Sequence, residues 1–79
     1  MKNQHGLECP MPLKDWPEWA NYVVVAGSGN IYAYSHEPVY VHSEWRSFVE
    51  NPGEVYTAAR IGRTLKTVVP YYHIWKRPE

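Results

Sequence analysis

The chain has little cysteine, little phenylalanine and no long apolar run. Cys9 is its only cysteine, so no disulfide can form within the chain, and a lone thiol fits a reducing compartment. No apolar run reaches the roughly 18 residues of a membrane span. The first residues also lack the apolar stretch of a signal peptide. We therefore expect a cytoplasmic protein without membrane contact.

Patterns typical of enzymes and metal sites are lacking too. The chain has no Gly-x-Ser-x-Gly nucleophile elbow, and Cys9 has no recognisable partner base. The histidines and acids at residues 36–37 and 42–44 match no spacing known for metal sites. We therefore predict no enzymatic activity, no catalytic residues, no metal and no cofactor.

Tyrosine and tryptophan are abundant. Seven Tyr and four Trp stand beside one Phe, so the aromatic rings carry polar groups that suit half-buried positions. Such rings either close the core of a thin sheet or form a binding surface, and the composition leaves both interpretations open. The net charge is zero, but residues 1–54 hold seven acids against three bases, and residues 55–79 hold five bases against one acid. The segregated charges therefore allow a basic face formed by the C-terminal part of the chain.

Short β-branched and aromatic runs between turn residues predict a mainly β fold. Residues 22–26 and 31–35 are the clearest strands, and the Gly-rich residues 27–30 between them predict a hairpin. Strand alternation places Tyr32 and Tyr34 on one face. Further strands are predicted at residues 39–42, 55–60, 65–69 and 71–75. These runs predict a small antiparallel sheet of five or six short strands, coiled or half-closed, with α+β as the alternative class.

The remaining segments predict at most one short helix. Asp15 is expected to cap a helical turn that places Trp16 and Trp19 on one side. Residues 43–50 fit a helix and a strand equally well.

Two breaks are predicted in the C-terminal part. Gly62 is expected to interrupt its strand, and Pro70 to end a strand or create a bulge.

We interpret residues 1–14 as an irregular N-terminal lead-in and residues 15–79 as a single β-rich domain.

The residues around Cys9 match a short motif of a known protein family. The sequence GLECPMPL at residues 6–13 resembles the GLxCPxPL signature of the small sulfur carriers used in tRNA thiolation. In that family the cysteine lies at a helix N-terminus and forms a persulfide. The family's fold also has a strand before the motif and a long helix after it, whereas here Pro17 follows closely. A sulfur carrier acting through Cys9 is therefore kept as a third hypothesis.

A longer pattern covers residues 15–46. It reads W-P-x-W-A-x-Y from Trp16 to Tyr22, followed by an apolar strand, a Gly-containing turn, a second aromatic strand, Pro38 and Trp45. This pattern resembles short, uncharacterised β-rich accessory proteins of tailed phages. The resemblance implies a small protein, made in the infected cell, that binds a host enzyme or defence complex and blocks it.

The leading hypothesis is therefore a non-enzymatic interaction protein that modulates or inhibits a host protein. Trp, Tyr and Arg are the usual anchors of interfaces. The predicted interaction surface consists of Tyr32, Tyr34, Tyr40, Trp45 and Arg46. Exposed sheet edges would also allow a homodimer through strand pairing.

The second hypothesis is a single-strand nucleic-acid-binding β-domain. Its tyrosines would stack on bases, and Arg60, Arg63 and Lys66 would contact phosphates. The opposing interpretation is that the tyrosines close the core, which we favour because so short a chain needs its aromatic rings inside.

Overall fold

A computed structural model describes residues 1–47, 56–64 and 69–78 of the chain. In these residues the fold is mainly β, as predicted. Its strands are β1 (Tyr22–Val25), β2 (Asn30–Tyr34), β3 (Pro38–Val41), β4 (Glu44–Ser47), β5 (Ala58–Arg63) and β6 (Ile74–Lys76). Two short 3-10 turns, Leu13–Asp15 and Pro70–Tyr72, are the only helical elements in this part of the chain. None of its helices is long and apolar enough to cross a membrane.

The strands form two antiparallel sheets. The larger sheet has the order β5-β2-β1-β6, and the smaller one is the β3–β4 hairpin. The hairpin predicted around residues 27–30 is confirmed as the β1–β2 connection. The Ala26 N–H donates to the Asn30 carbonyl, and the Gly29 N–H donates to the Ala26 carbonyl. Gly29 has a φ of 90°, a backbone conformation that favours glycine.

The strand register assigns side chains to the two faces of the larger sheet. Tyr32 pairs with Val24, and Tyr34 pairs with Tyr22. Residues paired across an antiparallel ladder point to the same side, so these four side chains share one face, which we call the tyrosine face. The predicted placement of Tyr32 and Tyr34 together is confirmed.

The hydrophobic core lies on the opposite face. Its buried members are Trp16, Ala20, Val23, Val25, Ile31, Ala33 and Trp75. Leu7, Cys9 and Met11 pack against this cluster from the N-terminal segment. The Trp75 side chain is 1% exposed, and its Nε1–H donates to the Leu7 carbonyl at 2.8 Å. The segment interpreted as an irregular lead-in therefore supplies one wall of the core.

Arg77 joins the end of the chain to the segment that enters β1. Its Nε donates to the Ala20 carbonyl at 2.6 Å, and a terminal nitrogen donates to the Pro17 carbonyl at 2.8 Å. Its Cζ lies 5.4 Å from the centre of the Trp16 ring. Hydrogen bonds from a charged donor are stronger than neutral ones, so Arg77 holds the turn at residues 17–20 against the sheet.

The predicted helical turn is misplaced. The 3-10 turn comes earlier, at Leu13–Asp15, so Asp15 lies inside it and Pro12 occupies the N-cap position. Trp16 already has extended backbone angles and is buried, whereas Trp19 is 37% exposed. The two indoles therefore do not share one environment. The 3-10 turn ends at Trp16, whose N–H donates to the Leu13 carbonyl, so Trp16 and Trp19 do not lie in one helical turn.

The prediction that Gly62 interrupts a strand is wrong. Gly62 pairs with Ile31 and Arg60 pairs with Tyr32, so Ile61 is an extra residue at a register shift inside β5. A β-bulge absorbs such a residue without ending the ladder.

Pro70 begins the second 3-10 turn, so the last strand starts at Ile74 and not at Tyr71, where it is predicted to start. Of the predicted strand at residues 65–69, positions 65–68 lie outside the described residues, and Val69 is not in a strand. Residues 44–47 are a strand, whereas positions 48–50 of the ambiguous segment also lie outside the described residues. The same holds for position 55 of the predicted strand at 55–60.

Candidate functional site

The β3–β4 hairpin packs against the tyrosine face. The Tyr34 hydroxyl donates to the Trp45 carbonyl at 3.3 Å, and the Trp45 Nε1–H donates to the Val25 carbonyl at 3.2 Å. Tyr34 is only 8% exposed, and Val24 is fully buried although it lies on the side away from the main core. The hairpin and this face therefore form a second, smaller packed layer.

The turn between β3 and β4 consists of His42 and Ser43. Val41 pairs with Glu44 across it, and the two turn residues have φ values of 50° and 63°. Two residues with positive φ are characteristic of the type I′ hairpin turn, whose twist matches that of the strands. Neither residue is Gly or Asn, the residues usually found there, so the hairpin imposes a costly backbone conformation. The turn fixes where Ser43 and Glu44 lie.

A pocket of about 410 Å³ lies between the tyrosine face and the hairpin. Four of the five residues predicted as an interaction surface line it: Tyr32, Tyr34, Tyr40 and Trp45. Ser43 and Glu44 line it as well. Tyr34 is buried, and the other three aromatic residues are half-buried. The predicted rings therefore close a packed layer and at the same time present a concave surface.

Arg46, the fifth predicted residue, lies beside this pocket. It pairs with Val39 on β3, whereas Trp45 pairs with Tyr40, so Arg46 and Trp45 point to opposite sides of the hairpin. An Arg46 guanidinium nitrogen lies 2.9 Å from Glu44 Oε2. Both side chains of this ion pair are more than half exposed.

Tyr71 and Tyr72 form an exposed aromatic surface that the sequence interpretation missed. Ring centres follow one another from Trp45 to Tyr40 (5.2 Å), Tyr71 (6.4 Å), Tyr72 (5.3 Å) and His5 (4.9 Å). We call these five residues the aromatic row. Tyr71 is 59% exposed and Tyr72 is 45% exposed. The sequence signal is the Tyr-Tyr pair after Pro70, which lies within the strand predicted at residues 71–75.

The residues predicted to contact nucleic acid are only partly placed. Arg60 and Arg63 are exposed on β5, where Arg60 pairs with Tyr32. Lys66 lies outside the described residues. Tyr34 is buried under the hairpin, which leaves little of its ring for stacking on a base. Nucleic-acid binding stays a prediction.

The edges of the larger sheet are β5 and β6. The Asn3 side-chain amide donates to the carbonyls of Tyr72 and Ile74, so the N-terminal segment occupies part of the outer side of β6. A homodimer formed through strand pairing also stays a prediction.

Cys9 is half-buried against the core. Burial raises the pKa of its thiol, and its Sγ lies 3.2 Å from the Met11 carbonyl oxygen as a hydrogen-bond donor. Reactive cysteines have lowered pKa values and sit in electropositive, accessible surroundings. The shift at Cys9 runs in the opposite direction from the one a persulfide carrier needs.

We expect the Cys9 thiol to react with iodoacetamide more slowly in the native protein than in the urea-unfolded chain at the same pH. The raised pKa lowers the thiolate fraction, and packing restricts access. The rate should keep rising with pH through the range in which an ordinary thiol is already ionised. Mass spectrometry of quenched time points measures both rates. A native rate equal to the unfolded one would contradict this account.

In the described part of the chain, no group of three His, Cys, Asp or Glu side chains could hold a metal ion.

Comparison of the chain with protein-family models, with curated proteins and with solved structures finds no match.

Proposed function

We propose that the protein is a non-enzymatic interaction protein that binds another protein through the aromatic row. The observation that carries this proposal is the exposure of Tyr71 and Tyr72 beside the half-buried Tyr40. Tyr side chains offer a large, rigid contact area at low conformational cost. Interfaces concentrate their binding energy on such rings. A chain this short has few residues to form a core and would gain stability by burying Tyr71 and Tyr72, so their exposure favours a role in binding.

The partner that we propose is a host protein or defence complex in the cytoplasm of a phage-infected cell, which this protein modulates or inhibits. The support is the resemblance of residues 15–46 to accessory proteins of tailed phages. In the fold, that stretch forms the β1–β2 and β3–β4 hairpins. Its last aromatic residue, Trp45, is one end of the aromatic row.

Affinity capture from host lysate tests the proposal. We expect the wild-type protein to retain a specific host protein, and the double variant Tyr71→Ser, Tyr72→Ser to lose at least about thirtyfold in affinity, since even one hot-spot ring contributes about 2 kcal/mol or more. Quantitative mass spectrometry of the captured fraction, followed by calorimetry on the purified pair, measures this loss.

Trp19→Ser is the matched control. Trp19 is a comparably exposed aromatic residue, but it precedes β1, whereas the 3-10 turn with Tyr71 lies near the other end of that strand. This variant should retain the partner. Capture that is equal for the wild type and the double variant, or no specific capture from several hosts and salt concentrations, would overturn the proposal.

A further inference from the structure

The bulge in β5 changes the face on which one of its arginines lies. Arg60 and Arg63 are three positions apart, so the regular alternation of a strand would place them on opposite faces of the sheet. Arg60 instead pairs with Tyr32 and Arg63 pairs with Asn30, and those two partners share one face of β2. Because paired residues point to the same side, both arginines lie on the tyrosine face.

Packing on the core side of β5 supports this placement independently. Ile61, the extra residue of the bulge, packs against the hydrophobic core. A Cβ added at Gly62 would lie 2.9 Å from Met11 Cε and 3.5 Å from Ile31 Cδ1, and both of these side chains belong to the core side. The two residues between the arginines therefore both face the core, and the arginines point away from it.

The two guanidinium groups lack a counter-charge in the sheet. The four strands of the larger sheet contain no Asp or Glu, and Arg60 and Arg63 are exposed. In the described part of the chain, neither arginine side chain forms an ion pair. Each guanidinium therefore keeps its N–H donors for a ligand.

We propose that Arg60 and Arg63 bind the dianion of a phosphate monoester. Their ladder partners are two positions apart on β2, so the arginines lie about 7 Å apart along the sheet edge, within reach of one ligand. A phosphate monoester carries about two negative charges and three acceptor oxygens, and a carboxylate carries one charge and two oxygens. The monoester is therefore the better match for two guanidinium forks. The inference goes beyond the proposed function, because neither arginine belongs to the aromatic row.

The backbone that carries the two arginines is held in place before a ligand binds. The Thr64 N–H, directly after Arg63, donates to the Gly29 carbonyl at 2.8 Å. Tyr32, the ladder partner of Arg60, also lines the pocket of about 410 Å³, so the pair lies at the border of that pocket. The organic part of the ester can therefore enter the pocket while its phosphate stays on the arginines. A fixed backbone also reduces the conformational freedom that is lost on binding.

Titration with phenyl phosphate, followed by backbone amide NMR signals, tests the site directly. We expect saturable shifts at residues 60–64 in the millimolar range, because a small ligand makes only a few contacts. The amides of β6, at the opposite edge of the sheet, are the internal control. Methyl phenyl phosphate, a diester with the same ring and a single charge, should bind at least about twofold more weakly. Equal affinity for the two esters, or no shift with either, would overturn the proposal.

Substitutions at the exposed arginines test the charge argument without disturbing the core. Arg60→Gln and Arg63→Gln should each weaken phenyl phosphate binding about twofold to fivefold, the range expected of exposed charge pairs, and the double variant should lose the shifts. Arg60→Lys keeps the charge without the planar fork and should lose part of the affinity. Lys14→Gln is the matched control, since it removes an exposed base from the first 3-10 turn, outside the sheet. Unchanged affinity in the double variant would overturn the assignment.

The phosphate has two sources that a second arm separates. A short peptide with one phosphotyrosine is compared with phenyl phosphate and with the same peptide carrying tyrosine. Tighter binding of the phosphopeptide assigns the phosphate to a side chain of a partner, and equal or weaker binding assigns it to a small molecule. Oligothymidylate, which carries only phosphodiesters, is the last ligand. If it bound more tightly than both monoesters at equal phosphate concentration, single-strand nucleic-acid binding would replace the monoester proposal.

Discussion

Replacement of Trp75 by alanine is expected to leave the protein largely unfolded at room temperature. Removing a buried Trp side chain costs about 3–5 kcal/mol through lost burial and the cavity left behind. The Leu7 carbonyl also loses its donor, which costs a further amount of about 1 kcal/mol or more. A single core in a chain of this size supplies no more than about 3–5 kcal/mol. The substitution therefore removes about as much free energy as the fold has.

Urea unfolding followed by far-ultraviolet circular dichroism measures this loss. Trp75→Phe keeps most of the volume and removes the N–H donor, so it should fold with a clearly reduced free energy of unfolding. Trp19→Ala is the control, because a 37% exposed indole contributes far less burial. If Trp75→Ala were as stable as Trp19→Ala, the core placement of Trp75 would be wrong.

The core shows which parts of the fold could be predicted from the sequence and which could not. β1 and β2 could be predicted because β-branched and aromatic residues flank a Gly-rich turn, which is a local signal. The wall of the core formed by Leu7, Cys9 and Met11 could not be predicted, because that segment has no strand or helix periodicity. Its packing depends on contacts such as the one between Leu7 and Trp75, 68 positions apart.

The C-terminal strands illustrate a second limit. Gly62 is a breaker by propensity, but the bulge at Ile61 keeps it in the ladder, and bulges are set by pairing with the neighbouring strand. Residues 71–75 are predicted as a last edge strand, yet the 3-10 turn takes Tyr71 and Tyr72 out of the sheet. The local sequence alone therefore predicts the wrong structural element at both Gly62 and the Tyr-Tyr pair.

For the candidate site, the sequence identified members but not their arrangement. The enrichment of Tyr and Trp at interfaces predicts Tyr32, Tyr40 and Trp45 as members, and they do line one pocket. That pocket exists because the β3–β4 hairpin folds over the tyrosine face, a non-local contact made by the Trp45 indole and the Tyr34 hydroxyl. The enrichment of Arg at interfaces predicts Arg46 as well, but strand alternation turns it to the other side of the hairpin.

The second large effect is expected at Gly29, in the turn between β1 and β2. Its φ of 90° is a conformation that alanine rarely adopts, and a Cβ added there would collide with the Thr64 carbonyl oxygen. Thr64 also donates its N–H to the Gly29 carbonyl at 2.8 Å, so the turn and the end of β5 are held together at that point. The collision involves backbone, which cannot rotate away as a side chain could. Gly29→Ala must therefore break this bond or separate β5 from β2.

Gly6→Ala separates the two causes of instability. Gly6 has a similar φ of 76°, but a Cβ added there meets nothing within 4 Å. Its substitution should cost about 1–2 kcal/mol, the penalty of a left-handed conformation for alanine. Gly29→Ala should cost about 1–3 kcal/mol more, the usual effect of overpacking. Urea unfolding gives both values, and amide shifts of Arg63 and Thr64 show whether β5 moves. Equal losses in the two variants would mean that Thr64, at the end of β5, does not approach Gly29 in solution.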